Sequence, residues 1–301
     1  MAALTLAALS GTARAVTSVN LDFNGTGTTV GATGFDAAYN FDPTGVTLGG
    51  GTLQLKTLPG DTFGQYEGNA GAPDPDTARN VFYSVIEPLG RTQVDARVSY
   101  TNLVSGFAGG GIWMGTDTDH YIRLGVFRNG PDINVEALRE NQDLWPANTQ
   151  VGSPALPGGP GNDITGIQNT IGSFPAATPF NVDLRIVRTG NTAEAFYSLN
   201  GGTTYTAVDR DPGTPGIQSV FDAVSFDSRN LGVPASSVSS VEAPGTYKVG
   251  VYAFNGPSDS AGQGTDAFDS FSAVSTPEPG AAVLATLALA GPLATRRRVN
   301  R

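Results

Sequence analysis

The sequence contains no cysteine and a single histidine, His120. The first absence excludes a disulfide framework and any thiol chemistry. The second excludes a multi-histidine zinc centre and leaves a Ser-His-Asp triad one candidate base, placed beside a turn. Charge is sparse as well: Asp, Glu, Lys and Arg make up 15% of the chain, and the formal net charge is −10. Five of the 17 basic residues (Arg14, Arg296, Arg297, Arg298 and Arg301) lie in the two ends, so the body between them is more acidic than the whole. An acidic body argues against nucleic-acid binding, which needs a basic surface. Helical periodicity is also missing from the body, where no segment repeats apolar residues at spacings of three and four.

Glycine is abundant instead, with 40 in 301 residues, while apolar content is an ordinary 39%. That combination suits a turn-rich β protein long enough to bury a core. Roughly a dozen short alternating runs bounded by Gly, Asn and Asp read as strands. The clearest is Val94, Ala96, Val98 and Tyr100 alternating with Asp95, Arg97 and Ser99. Others centre on residues 19–23, 53–56, 81–86, 133–137, 182–186, 195–208, 247–251 and 267–274. Residues 24–51 read as a Gly/Thr/Asp-rich loop. Two long irregular stretches, 141–178 and 209–244, interrupt the pattern. The first carries Trp145, and a loop of that length inside a compact domain is either functional or disordered.

The pattern is organised around Gly109 to Phe127, GGGIWMGTDTDHYIRLGVF. Ile112 and Met114 alternate with Trp113 and Gly115. After a polar turn, Ile122, Leu124 and Val126 alternate with Arg123 and Gly125. Alternation on both sides of a turn predicts an antiparallel hairpin with the aliphatic residues inward and Trp113 and Arg123 on the opposite face. The fold expected from all this is an all-β sandwich or barrel, undivided by any linker.

The ends read as addresses rather than fold. Residues 2–9, AALTLAAL, form a short apolar run, and Ala13-Arg14-Ala15 places small residues where a signal peptidase needs them, so 1–15 is the expected signal peptide. At the other end Pro277-Glu278-Pro279 leads into an Ala/Leu run and then Arg296-Arg297-Arg298. A helix of about 15 residues spans roughly 22 Å, short for a bilayer unless flanking arginines reach outward to the interface. This three-part tail, 276–301, resembles the PEP-CTERM sorting signal. The resemblance implies export, transient membrane anchoring through a short transmembrane helix, and cleavage near Pro277–Pro279 by an exosortase-like membrane protease. It also implies a bacterial setting rich in extracellular polysaccharide.

The body, 16–275, is similar to concanavalin A-like lectin/glucanase domains through LDFNGTG, the Gly109–Phe127 hairpin, FYSLNGGTTYTAV and the closing YKVGVYAFN…AFDSFSA. That likeness implies a jelly-roll β-sandwich whose concave face often binds glycan. The lectin-fold glucanases carry a Glu-x-Asp-x-x-Glu strand, and this chain has none; Glu136, Glu140 and Asp143 are its nearest carboxylate cluster.

Aromatic faces stack on sugar C–H groups, so Trp113, Tyr121, Arg123 and Trp145 are the candidate ligand-binding residues, with Trp113 alternatively buried beneath a loop. Clustered carboxylates suit a hard cation such as structural calcium. Asp22, Asp266 and Asp269 are the leading ligands, because the first and last strands of such folds are commonly neighbours; Asp117 and Asp119 are a second set. An Asp at a turn that merely accepts backbone N–H bonds is the plainer alternative for both sets. The expectation is therefore an exported, non-catalytic, lectin-like protein that associates with extracellular polysaccharide. A glycoside hydrolase of the lectin/glucanase fold, and a purely structural matrix protein, are the alternatives.

Overall fold

The structure is a computed structural model that describes residues 17–60, 78–87, 89–103, 108–116, 120–141, 164–173, 175, 178–189, 192–208, 221–222, 247–255 and 264–277. In chain order the elements begin with β1 (Thr17–Leu21), the single-turn helix α1 (Val30–Thr33) and β2 (Ala37–Tyr39). A short 3-10 turn at Pro43–Gly45 leads to β3 (Val46–Gly49), β4 (Thr52–Lys56), β5 (Val81–Ile86), β6 (Arg91–Thr101) and β7 (Ala108–Gly115). Next come β8 (His120–Asn129), β9 (Asp132–Asn141), β10 (Ile164–Ser173), β11 (Phe180–Thr189) and β12 (Thr192–Ser198). The last four are β13 (Thr206–Ala207), β14 (Phe221–Asp222), β15 (Tyr247–Asn255) and β16 (Thr265–Thr276).

These strands form two antiparallel sheets. One has nine strands in the order β13-β12-β11-β6-β16-β4-β3, with β1 also on β16 and β14 on β12. The other has seven in the order β10-β9-β8-β7-β15-β5-β2. Strand β16 organises the first sheet. A bulge between Phe268 and Ser270 divides it, so its first half pairs with β4, its second half with β1, and β6 runs along its other edge. An extra residue bends a strand and sharpens its twist, which suits one strand serving two partners on the same edge.

Period-two alternation decides what lies between the sheets. Leu53, Leu55, Val94, Ala96, Val98, Val182, Leu184 and Ile186 from the nine-stranded sheet meet Ile112, Met114, Ile122, Leu124, Val126, Val249 and Val251 from the seven-stranded one. All are buried. The hairpin expected at Gly109–Phe127 is β7–β8, central in its sheet, with Trp113 directly opposite Arg123 and both on the face away from this core. The β-sandwich is thus as the alternation predicts.

Three local expectations need correction. The segment 24–51, expected as loop, holds α1, β2 and β3: Thr29 caps the helix by accepting from the Ala32 N–H, and Gly34 ends it in the left-handed conformation. These elements are too short to show a period. The stretch 141–178, expected to be irregular, contains the ten-residue edge strand β10, paired with β9 and bulged between Thr170 and Gly172. An edge strand with its apolar residues at irregular spacing hides its register from sequence. Within 209–244, residues Phe221–Asp222 form β14. The expected signal segment and the tail from 278 onward, including the expected transmembrane helix, lie outside the described residues. Among those described, no helix is long and apolar enough to cross a membrane.

Several glycines of the seven-stranded sheet stand where no side chain fits. A Cβ on Gly250 would sit 1.8 Å from the Phe82 carbonyl oxygen, one on Gly109 1.9 Å from that of Val126, and one on Gly111 2.1 Å from that of Leu124. Backbone cannot yield as a flexible side chain can. Gly250→Ala is therefore expected to destabilise the fold by about 3 kcal/mol. Gly49→Ala, where a Cβ meets nothing within 4 Å, should stay within about 0.5 kcal/mol of the parent. Urea unfolding of the two variants checks the contrast.

Candidate functional site

The outer face of the seven-stranded sheet carries a second buried cluster: Ala78, Val81, Trp113, Tyr121, Leu138, Tyr252 and Phe254, with Tyr39 and Tyr83 against it. Its geometry follows from glycines on the same face. Gly250 lies directly between Trp113 and Tyr83 in register, so the indole reaches over it and its Nε1–H donates to the Phe82 carbonyl at 3.0 Å. Gly111 and Gly125 leave an equivalent gap, and the Tyr252 hydroxyl lies 2.3 Å from where a Cβ of Gly125 would be. Aromatic rings thus lie down on backbone instead of standing on neighbouring side chains.

Charged groups are set into this layer. Arg123, 1% exposed, donates from Nη2 to Glu136 Oε1 at 3.1 Å, and its guanidinium lies 4.7 Å from the Phe254 ring centre and 5.6 Å from that of Tyr252. Lys248, also buried, donates to the Tyr39 hydroxyl and sits 4.8 Å from the Tyr83 ring centre. A cation over an aromatic face recovers part of the free energy lost on leaving water. The face therefore offers a fixed carboxylate, two fixed cations and aromatic surface.

Of the expected ligand-binding residues, Trp113, Tyr121 and Arg123 come together here. Trp145 lies outside the described residues. Trp113 is 3% exposed, so the buried alternative holds for it. Sequence reading passed over Tyr39, Tyr83, Lys248, Tyr252 and Phe254. The Gly-aromatic alternation in YKVGVYAFN, which matches GGGIWMG across the β7–β15 pair, was the available signal.

The expected calcium ligands do not converge. The first strand does pair with the closing strand, from Thr17↔Ser275 to Leu21↔Phe271. Asp22, however, is exposed and accepts from the backbone and side-chain nitrogens of Asn24, the turn-forming alternative. Asp269 sits at the β16 bulge on the outer face, where its charge acts on Arg97. Asp266 points the other way, fully buried in the core. Asp266 is separated from Asp22 and Asp269 because alternate positions of a strand point to opposite faces. No group of three metal-ligating side chains occurs among the described residues. Asp117 and Asp119 lie outside them.

No protein-family model matches the sequence, and no curated protein does either. Solved structures do share the fold. A variant of the GH43 protein BlXynB from Bacillus licheniformis superposes with a TM-score of 0.50 at 16% identity, covering 85% of this chain and 39% of that one. A xylan beta-1,4-xylosidase from Bacillus halodurans gives a TM-score of 0.50 at 14% identity over 84% of this chain and 38% of the enzyme. The chain spans about two-fifths of the length of these glycoside hydrolases. Identity this low speaks to fold alone. The expectation of a non-catalytic lectin-like protein is corrected by these neighbours, whose names are those of glycoside hydrolases.

The Arg123–Glu136 pair, with side chains only 2% and 7% exposed, makes a stability prediction. Arg123→Ala leaves a carboxylate buried without its cation and should cost about 3–5 kcal/mol. Arg123→Met combined with Glu136→Leu removes both charges and should regain most of that loss, read from urea midpoints of the two variants.

Proposed function

We propose that the chain is a concanavalin A-like jelly-roll domain of a glycoside hydrolase, working on a β-linked polysaccharide at the outer face of its seven-stranded sheet. The observation that carries this reading is the buried Arg123–Glu136 pair, a carboxylate held in place on an aromatic floor. The fold likeness to a xylosidase supports the class of reaction and points to xylan-type substrates.

Glycoside hydrolysis needs two carboxyl groups across the bond, about 5 Å apart for retention and about 6.5–9.5 Å for inversion. We assign Glu136 as one. In such a reaction one carboxyl protonates the leaving oxygen and the other acts on the opposite side of the bond. Trp113 and Tyr121, buried beside Arg123 on β7 and β8, form the packed layer that holds the pair in place.

The test is release of reducing ends from xylan and arabinoxylan by the full-length protein. Glu136→Gln should reduce the rate by about 100-fold or more while the fold is retained. No release by the parent protein, or an unchanged rate in the variant, overturns the reading.

The burial of Trp113, Tyr121 and Arg123 favours a second reading, a structural protein whose aromatic layer is internal mortar. In a Trp145→Phe background that reading expects Trp113 fluorescence to resist acrylamide quenching with or without polysaccharide. A change on adding polysaccharide removes it.

For the tail we infer export and surface sorting, with cleavage at Pro277-Glu278-Pro279 following passage through the membrane. In a bacterium that carries the processing protease, mass spectrometry of the mature protein should find a C-terminus within that motif and no Arg296–Arg298. An intact tail on surface-located protein refutes it.

A further inference from the structure

The most anomalous group in the sandwich is the Asp266 carboxyl. It lies on β16 opposite Tyr100 of β6 and Leu55 of β4, pointing between the sheets, with no exposed surface. Neither of its oxygens has a hydrogen-bond partner. Across the gap stands Gly110 of β7, paired with Ala253 of β15. A Cβ on Gly110 would fall 2.3 Å from Asp266 Oδ2, so the carboxyl fills the space that a side chain at position 110 would occupy. Tyr100 closes the site from the side: its hydroxyl donates to the Gly110 carbonyl at 2.8 Å, and its ring stacks on Phe180 at 5.2 Å.

We infer that Asp266 is a proton-dependent latch between the two sheets, letting β16 and β7 close on one another while it is uncharged and driving them apart once it is charged. The groups facing it decide this. From β4 comes Leu55, from β7 Gly110, from β15 Ala253, all uncharged. From β6 comes Tyr100, the one titratable group facing it among the described residues. No cation on these elements is positioned to stabilise a carboxylate, and an uncompensated buried charge is far more costly than a neutral acid.

Burial raises Asp266 well above the ordinary carboxylate range, and it also raises Tyr100, with the Asp266 charge adding to that shift. The sign follows by linkage. Above about pH 4 the unfolded chain has released this proton while the folded chain still holds it. The contribution to stability is therefore complete in acid and declines as pH rises, until the folded carboxyl itself ionises.

The experiment compares full-length parent protein with Asp266→Asn and Asp266→Ala by urea unfolding from about pH 4 to pH 9. The folding constant of the parent should fall relative to Asp266→Asn by up to tenfold per pH unit. At the alkaline end, amides of β7 and β16 should exchange faster in the parent than in the variant at the same pH. Parallel pH profiles overturn the latch. Should both variants fail to fold, the infrared carbonyl band of a protonated carboxyl in the parent decides. Its persistence at neutral pH supports the inference, and its loss along with the ordinary surface carboxylates refutes it. The outcome is independent of whether the outer face hydrolyses glycans.

Discussion

Backbone lying against backbone, at positions where no side chain could be accommodated, is what the seven-stranded sheet depends on. Gly109, Gly111 and Gly250 each face a carbonyl oxygen that an added Cβ would overlap, far inside van der Waals contact. With those positions empty, Trp113 can cross β15 to reach β5, and Tyr252 can lie across β7 to Gly125. The aromatic layer is thus a consequence of missing side chains as much as of present ones. The buried Arg123 and Lys248 in turn rest on that layer, through ring faces and one ion pair.

The same sheet has two apolar faces of different character. Inward it presents Ile112, Met114, Ile122 and Leu124 to an aliphatic and aromatic core that Asp266 also enters. Outward it presents rings interleaved with charge. Hydrophobic burial on the first face needs nothing more than alternation. On the second, every cation requires a partner, because an ion removed from water without one is destabilising by several kcal/mol. Specific geometry is therefore concentrated on the outward face, and that is where site chemistry is assigned.

Alternation made the inner face legible from the sequence. Val94–Tyr100 and the Gly109–Phe127 hairpin have the register expected of them, and the adjacency of first and last strands was also as anticipated. The outward cluster was legible only in part. Trp113, Tyr121 and Arg123 stand out as large residues on polar positions, whereas Lys248 and Tyr252 are joined to them only by the pairing of β15 with β7 across more than a hundred residues. Nothing local in a sequence records such a pairing. The separation of the three acidic residues has a related reason: Asp22, Asp266 and Asp269 are close along paired strands, yet alternation sends Asp266 into the core while Asp22 and Asp269 stay outside it. Short elements such as α1 and β2 show too few residues for any period to emerge.

Strand β16 has a mechanical consequence. It ends at Thr276, one residue before the Pro-Glu-Pro sequence, and is hydrogen-bonded to β6 along nearly its whole length and to β1 over its final stretch. Tension on residue 277 would run along that strand, loading its flanking bonds together in shear instead of peeling them apart one by one. A domain tethered at this point would resist being pulled open, and scission just beyond it would leave every rung of the sheet in place.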